Sequence, residues 1–242
     1  MRPACSPPIR VVAWEVTRRC NLRCAHCRAA AEDHPYAGEF SPEEARELVE
    51  QIARVRPQVL ILSGGEPLMR PDLEEIVEAA AARGLQVALA TNGCLVDRER
   101  ARALRAAGLR RASISLDGAT PAVHDGFRGV PGAFERSLAG LEALRAAGVE
   151  VQLNATVTAR TVGEIPQLFR LAERLGVDAF HLFVLVPMGR GWALEGITPQ
   201  QYEELLRWFL KASQSTSMET KATCAPCYYR LLAEEGMGER GR

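Results

Sequence analysis

The strongest constraint on the fold of this chain is a unit that it repeats: an apolar run, a polar loop, apolar residues at helical spacing, a glycine, and the next apolar run. Residues 10–16 open the series as a strand. Ser41-Pro-Glu-Glu44 then has the pattern of a capping box with proline at the first helical position, and Ala45, Leu48, Val49, Ile52 and Val55 fall on one helix face. Residues 59–62 are wholly apolar, as a strand buried on both faces of a parallel sheet would be. The same reading predicts helices over 71–83, 97–107 and 133–147, and strands over 85–90, 112–116, 149–157 and 179–186. Thr161-Val-Gly-Glu164 reads as a second capping box before Ile165, Leu168, Phe169, Ala172 and Leu175, and Thr198-Pro-Gln-Gln201 caps a further helix. Strand, crossover helix, parallel strand is the ordinary connection for such units. Six of them in succession without a reversal predict an α/β fold, a partly closed (β/α)6 barrel over residues 10–197 rather than a doubly wound sheet. Residues 1–9 are expected as a leader, and 198–242 as a helix with a short extension. Ligands of either architecture gather at the carboxyl ends of the strands, where the unusual motifs of this chain fall.

Charge narrows the partners. Thirty Lys and Arg balance thirty Asp and Glu, so there is no basic field to draw nucleic acid or an anionic membrane. The uncharged stretch around the strongest apolar run, residues 179–189, is too short to cross a bilayer. A small-molecule partner is the expectation. The amino terminus lacks the long apolar segment of a secretory signal, which predicts a cytoplasmic protein with reduced thiols.

Five of the seven cysteines lie in two tight groups. Cys20, Cys24 and Cys27 follow the first strand at Cys-x3-Cys-x2-Cys spacing. Three thiols are one fewer than a closed structural site uses, which points to a cluster with one metal corner left for another ligand. A Cys3His zinc site with His26 is the non-enzymatic alternative, weakened because ligands at neighbouring positions rarely converge on one tetrahedral ion. Cys5 and Cys94 stand alone and read as incidental thiols. His34, His124 and His181 read as solvent or core residues.

The cysteine triad, with Gly64-Gly65-Glu66 after the second strand, resembles the radical S-adenosylmethionine (SAM) superfamily, and the resemblance runs from the first strand through the sixth. It implies the superfamily's partial TIM-like barrel and a 4Fe-4S cluster on Cys20, Cys24 and Cys27, with SAM chelating the fourth iron. Reductive cleavage of SAM would then give a 5'-deoxyadenosyl radical that takes hydrogen from substrate. It also implies that Gly64, Gly65 and Glu66 hold the SAM ammonium, and that Asn92, Ser115, Asp117 and Asn154 contact the ribose and methionine carboxylate. His26 would pack near the cluster and the adenine.

A finer resemblance, to the auxiliary-cluster subgroup and within it the decarboxylases of siroheme-derived heme biosynthesis, rests on several matches. These are Ala13-Trp-Glu-Val-Thr-Arg18, Cys27-Arg-Ala29, His124-Asp-Gly-Phe-Arg-Gly-Val-Pro-Gly-Ala-Phe134, Leu185-Val-Pro-Met-Gly-Arg-Gly191, Lys221-Ala-Thr-Cys-Ala-Pro226 and Tyr228-Tyr-Arg230. It implies an iron porphyrin substrate whose propionates become vinyl groups with loss of carbon dioxide, and an electron donor such as flavodoxin or ferredoxin. Arg28, Arg128 and Arg190 are candidates to pair with propionates. Cys224 and Cys227 are candidate ligands of a second 4Fe-4S cluster. Two thiolates do not complete one, so the chain is expected to be a fragment, or the second cluster is absent or completed from elsewhere. Related radical enzymes that modify peptides share much of this pattern and are the alternative enzyme reading.

Overall fold

The computed structural model describes residues 9–237; Cys5, most of the expected leader and the last five residues lie outside them. Seven parallel strands form one sheet in chain order: β1 (Val11–Thr17), β2 (Val59–Gly64), β3 (Val87–Thr91), β4 (Arg111–Ser115), β5 (Glu150–Val157), β6 (Ala179–Val184) and β7 (Glu219–Thr223). Each strand pairs with the next, with no reversal of order, so the arrangement is the open, curved sheet of a partial barrel and not a doubly wound one. β1 and β7 are its two edges.

The helices are α1 (Pro42–Val55), α2 (Leu73–Ala82), α3 (Arg98–Ala107), α4 (Pro121–Arg128), α5 (Ala133–Ala146), α6 (Ile165–Leu175), α7 (Pro199–Gln214) and α8 (Cys227–Glu234). Along each strand the residues that alternate toward the helices are buried: Leu60 and Leu62, Leu89, Ala112 and Ile114, Val151 and Leu153, Phe180 and Leu182. They meet Ala45, Val49 and Ile52 of α1, Leu168 and Phe169 of α6 and Phe209 of α7 in one continuous core. Phe169 packs edge-on to Phe180 and Phe209, joining α6, β6 and α7. On the other face, the polar residues gather on β4 to β7. Ser115, Asn154, His181 and Lys221 lie side by side in register across β4 to β7.

The capping boxes at Ser41 and Thr198 form as the sequence predicts. The one expected at Thr161 does not. The Thr161 hydroxyl donates to Thr156 O (2.7 Å), the Glu164 carboxylate accepts from Ala119 N–H (3.1 Å), and a single 3-10 turn precedes α6. Three elements go beyond the sequence reading: α4, β7 and, from Cys227, α8. α4 sits inside the motif that begins at His124. β7 falls within what looked like an appended segment, and its Glu-Thr-Lys-Ala-Thr sequence buries only Ala222. An edge strand over a polar interior lacks the apolar run that marks a strand covered on both faces.

Candidate functional site: a clamped cysteine loop at the carboxyl rim

The cysteine loop leaves the sheet where β1 and β2 slip register between Glu15 and Thr17, a bulge that turns the chain away from the ladder. Three elements then hold it. On the β2 side, Gly65 N–H donates to Thr17 O (2.8 Å) and Glu66 N–H to Arg19 O (2.7 Å). A β-carbon on Gly65 would stand 2.2 Å from Arg19 O, and one on Gly64, whose φ is +148°, 2.2 Å from Thr17 O. Only glycine permits that approach. On the α4 side, Arg23 N–H donates to Arg128 O (3.1 Å) and Ala25 N–H to Phe127 O (2.9 Å). After β6, Arg190 N–H donates to Cys27 O (3.0 Å), while its guanidinium donates to Cys24 O (2.9 Å) and Ala31 O (3.1 Å).

Each of the three sulfurs in this loop accepts a hydrogen bond. Leu22 N–H reaches Cys20 Sγ (3.4 Å), Ala31 N–H reaches Cys27 Sγ (3.4 Å) and an Arg128 Nη reaches Cys24 Sγ (3.5 Å). N–H donors aimed at sulfur are the surroundings of a thiolate, and hydrogen bonds to sulfur help set the potential of an iron-sulfur cluster. The donor set therefore fits such a cluster. Burial pushes the Cys20 thiol up to about 12, so without metal it keeps its proton, and metal binding would release it. The zinc alternative finds no support in the geometry. Among the described residues no three of His, Cys, Asp or Glu converge as ligands of a single ion. His26 stacks its ring on Phe127, 4.6 Å between centroids and 10° from parallel.

The residues expected around SAM gather at the same rim, with unequal access to solvent. Glu66 is fully buried. Its carboxylate accepts from Leu68 N–H (3.1 Å), Thr91 Oγ1 (2.7 Å) and Asn92 N–H (2.8 Å). Asn92 in turn donates to Asn21 Oδ1 (2.8 Å), tying the end of β3 to the cysteine loop. Asp117 is fully buried as well, accepting from Thr156 N–H (2.7 Å) and pairing with Arg128 (2.5 Å). Burial alone would raise its carboxyl; the Arg128 guanidinium, together with the neighbouring imidazoles and the Thr156 N–H, outweighs this and holds it below the usual carboxylate range. Ser115 and Asn154 are half-buried neighbours in register. Gln152 Nε2 donates to Asn154 Oδ1 (2.6 Å) and to His181 Nδ1 (2.9 Å), which gives His181 a partner that its sequence position did not reveal.

The arginines depart from expectation. Arg128 is buried against Asp117 and Cys24, and Arg190 clamps the cysteine loop, so neither guanidinium is free for a propionate. Arg28 is exposed and paired with Glu15. Arg128, Arg190 and Asn21 are the supports that sequence reasoning missed. The first two lie 104 and 166 positions from Cys24, a separation that hides such contacts in one sequence. Cys94 packs against the loop and comes within 3.5 Å of Ser137 Oγ. Cys224 follows β7 directly and Cys227 opens α8; both are exposed.

Comparison with known proteins agrees with this geometry. The family model described as the radical SAM superfamily matches residues 14–172. The chain is 48% identical over 236 residues to the AdoMet-dependent heme synthase of Oleidesulfovibrio alaskensis, covering 97% of this chain and 61% of that protein. It is 47% identical over 230 residues to the AdoMet-dependent heme synthase of Methanosarcina barkeri, covering 95% and 66%. The chain thus spans less than two thirds of the length of these curated relatives. The crystal structure of Streptococcus suis SuiB bound to S-adenosylmethionine shares the fold at a TM-score of 0.79 and 14% identity, over 93% of this chain and 53% of that one. With a superfamily match across most of its strands and the cysteine loop in place, the chain belongs to the radical SAM superfamily.

Proposed function

We propose that this chain is the core of an enzyme that cleaves SAM reductively and acts on an iron porphyrin, in the oxidative decarboxylation that turns propionates of iron-coproporphyrin III into the vinyl groups of heme b. One observation carries the reading: three cysteines at the superfamily's spacing, each supplied with an N–H donor, on a loop clamped at the carboxyl ends of the strands. The heme synthase relatives support the substrate class. Cys20, Cys24 and Cys27 would hold a 4Fe-4S cluster, which with SAM supplies one-electron cleavage of a sulfonium bond and hydrogen-atom abstraction.

The chain's own residues position and shield. Gly64 and Gly65 bring bare backbone to the rim beside the loop for the methionine end of SAM. Glu66 contributes through the groups that it fixes, Thr91 and Asn92, because its carboxylate has no exposed surface. Asn92, Ser115 and Asn154 offer polar atoms to the nucleoside and carboxylate, and Asp117 acts through Arg128. Holding reactants in register and keeping water out is the protein's share of such chemistry. Cys224 and Cys227 would give two thiolates to a second cluster completed by other ligands, with a flavodoxin or ferredoxin as electron donor in the cytoplasm.

The test is anaerobic reconstitution, iron and sulfide analysis, and assay of 5'-deoxyadenosine with iron-coproporphyrin III or with a peptide as substrate. The reading expects about four irons per triad and faster deoxyadenosine formation with the porphyrin. Iron at background, or deoxyadenosine formation that survives Cys24→Ala, overturns it. A response to peptide alone replaces the porphyrin with the peptide-modifying alternative.

A further inference from the structure

Arg128 is an expensive residue to bury, and its place against Cys24 asks for a role beyond its pairing with Asp117. Its side chain is almost wholly buried, its Nη2 pairs with Asp117 Oδ2 at 2.5 Å, and its Nη1 points to Cys24 Sγ at 3.5 Å. Asp117 is locked from the other side by Thr156 N–H, and its own N–H donates to His124 Nδ1 (3.1 Å), so the carboxylate cannot swing away. The backbone of Phe127 and Arg128 is itself bonded to the cysteine loop, which fixes where the guanidinium starts. The result is an oriented charge pair, cation toward the sulfur and anion behind it.

We propose that the Arg128–Asp117 pair is a redox-positioning device: it sets the potential of the cluster bound at Cys24 by holding a buried cation against one ligand sulfur. A cluster gains negative charge when it accepts an electron. A cation fixed at the sulfur stabilises that reduced form, and in a site with little water the effect is screened far less than at the surface. Asp117 moderates the field and, more directly, aims it. A carboxylate with one oxygen on Thr156 N–H leaves the other to hold the guanidinium in a single orientation.

This inference rests on the reading that the cysteine triad carries a 4Fe-4S cluster. The experiment is an EPR-monitored redox titration of the SAM-free, reconstituted protein, in wild type, in the charge-neutral double variant Arg128→Gln with Asp117→Asn, and in Arg128→Lys. The double variant avoids stranding a buried carboxylate. It should load its cluster and be harder to reduce, with the reduced-to-oxidised ratio at a fixed potential falling about tenfold, which is about 59 mV for a one-electron couple. Arg128→Lys keeps the charge and should lie between the two. A double variant that loads its cluster and keeps the wild-type potential overturns the proposal. Loss of iron binding in both variants overturns it too, since the pair would then be a structural brace. A wild type that binds no cluster sinks the prior reading instead and is recognised by the absence of any signal.

Discussion

Two cysteine groups sit at the carboxyl rim of the same sheet, at opposite edges of it, and their surroundings differ completely. The group after β1 lies in a loop held by β2, α4 and the segment after β6, with an N–H donor on every sulfur. The pair after β7 is exposed, and Cys224 has a left-handed backbone (φ +56°). Shared location and shared residue type are therefore not enough to make a pre-built ligand site. What distinguishes the first group is long-range support built by residues far away in the chain.

The contrast can be broken or sharpened in four ways, in falling order of effect. Cys24→Ala should reduce 5'-deoxyadenosine formation to background and remove the visible absorption of the reconstituted protein. Residual turnover above a few per cent, measured by chromatography, would mean that the clamped loop is not the centre. Arg190→Ala removes two charge-assisted hydrogen bonds to loop carbonyls. With charged hydrogen bonds worth roughly 1.5–3 kcal/mol each, we expect about 2 kcal/mol of lost stability in this half-buried setting. That corresponds to a fall in Tm of roughly 4–8 °C, with weaker iron retention. An unchanged melting curve would show that the loop holds its shape without this clamp.

The third concerns pH. His124 is fully buried, and burial with the nearby Arg128 lowers its pKa to about 4. The unfolded chain takes up that proton near 6.5, so the stability that His124 contributes is complete above 6.5 and declines as pH falls toward 4. The limit is on the order of 3 kcal/mol at about 1.36 kcal/mol per unit. His124→Gln can still accept from Asp117 N–H and should flatten the denaturation midpoint between pH 6.5 and 4. An equal acid slope in the variant would assign the loss to other groups. The smallest effect is at the other edge of the sheet. Cys224→Ala should leave stability within about 0.5 kcal/mol and leave substrate-free cleavage of SAM intact, since an exposed thiol without neighbours to strand has little to lose. A collapse of the triad's cluster in this variant would erase the distinction between the two groups.

The sequence revealed most of the scaffold because its signals are local. Capping residues, one-sided apolar spacing and short apolar runs located β1 to β6 and all the long helices to within a few residues, and the cysteine spacing with Gly64-Gly65-Glu66 was readable in the same way. The polar edge strand β7 was not, because a strand with one buried side chain carries no apolar signature. At the site, residue identities were legible and their roles were not. Glu66 and Asp117 looked like ligand contacts and turn out to be internal acceptors without exposed surface. Arg128 and Arg190 looked like groups for a substrate carboxylate and instead hold the loop.

By itself, then, the sequence determined the succession of strands and helices and the thiol-rich loop that follows the first of them. Only the tertiary structure decided which polar side chains face outward and which are consumed inside. Burial and hydrogen-bond partnership depend on contacts between residues a hundred positions apart, such as Arg128 with Cys24, and local spacing carries no record of them.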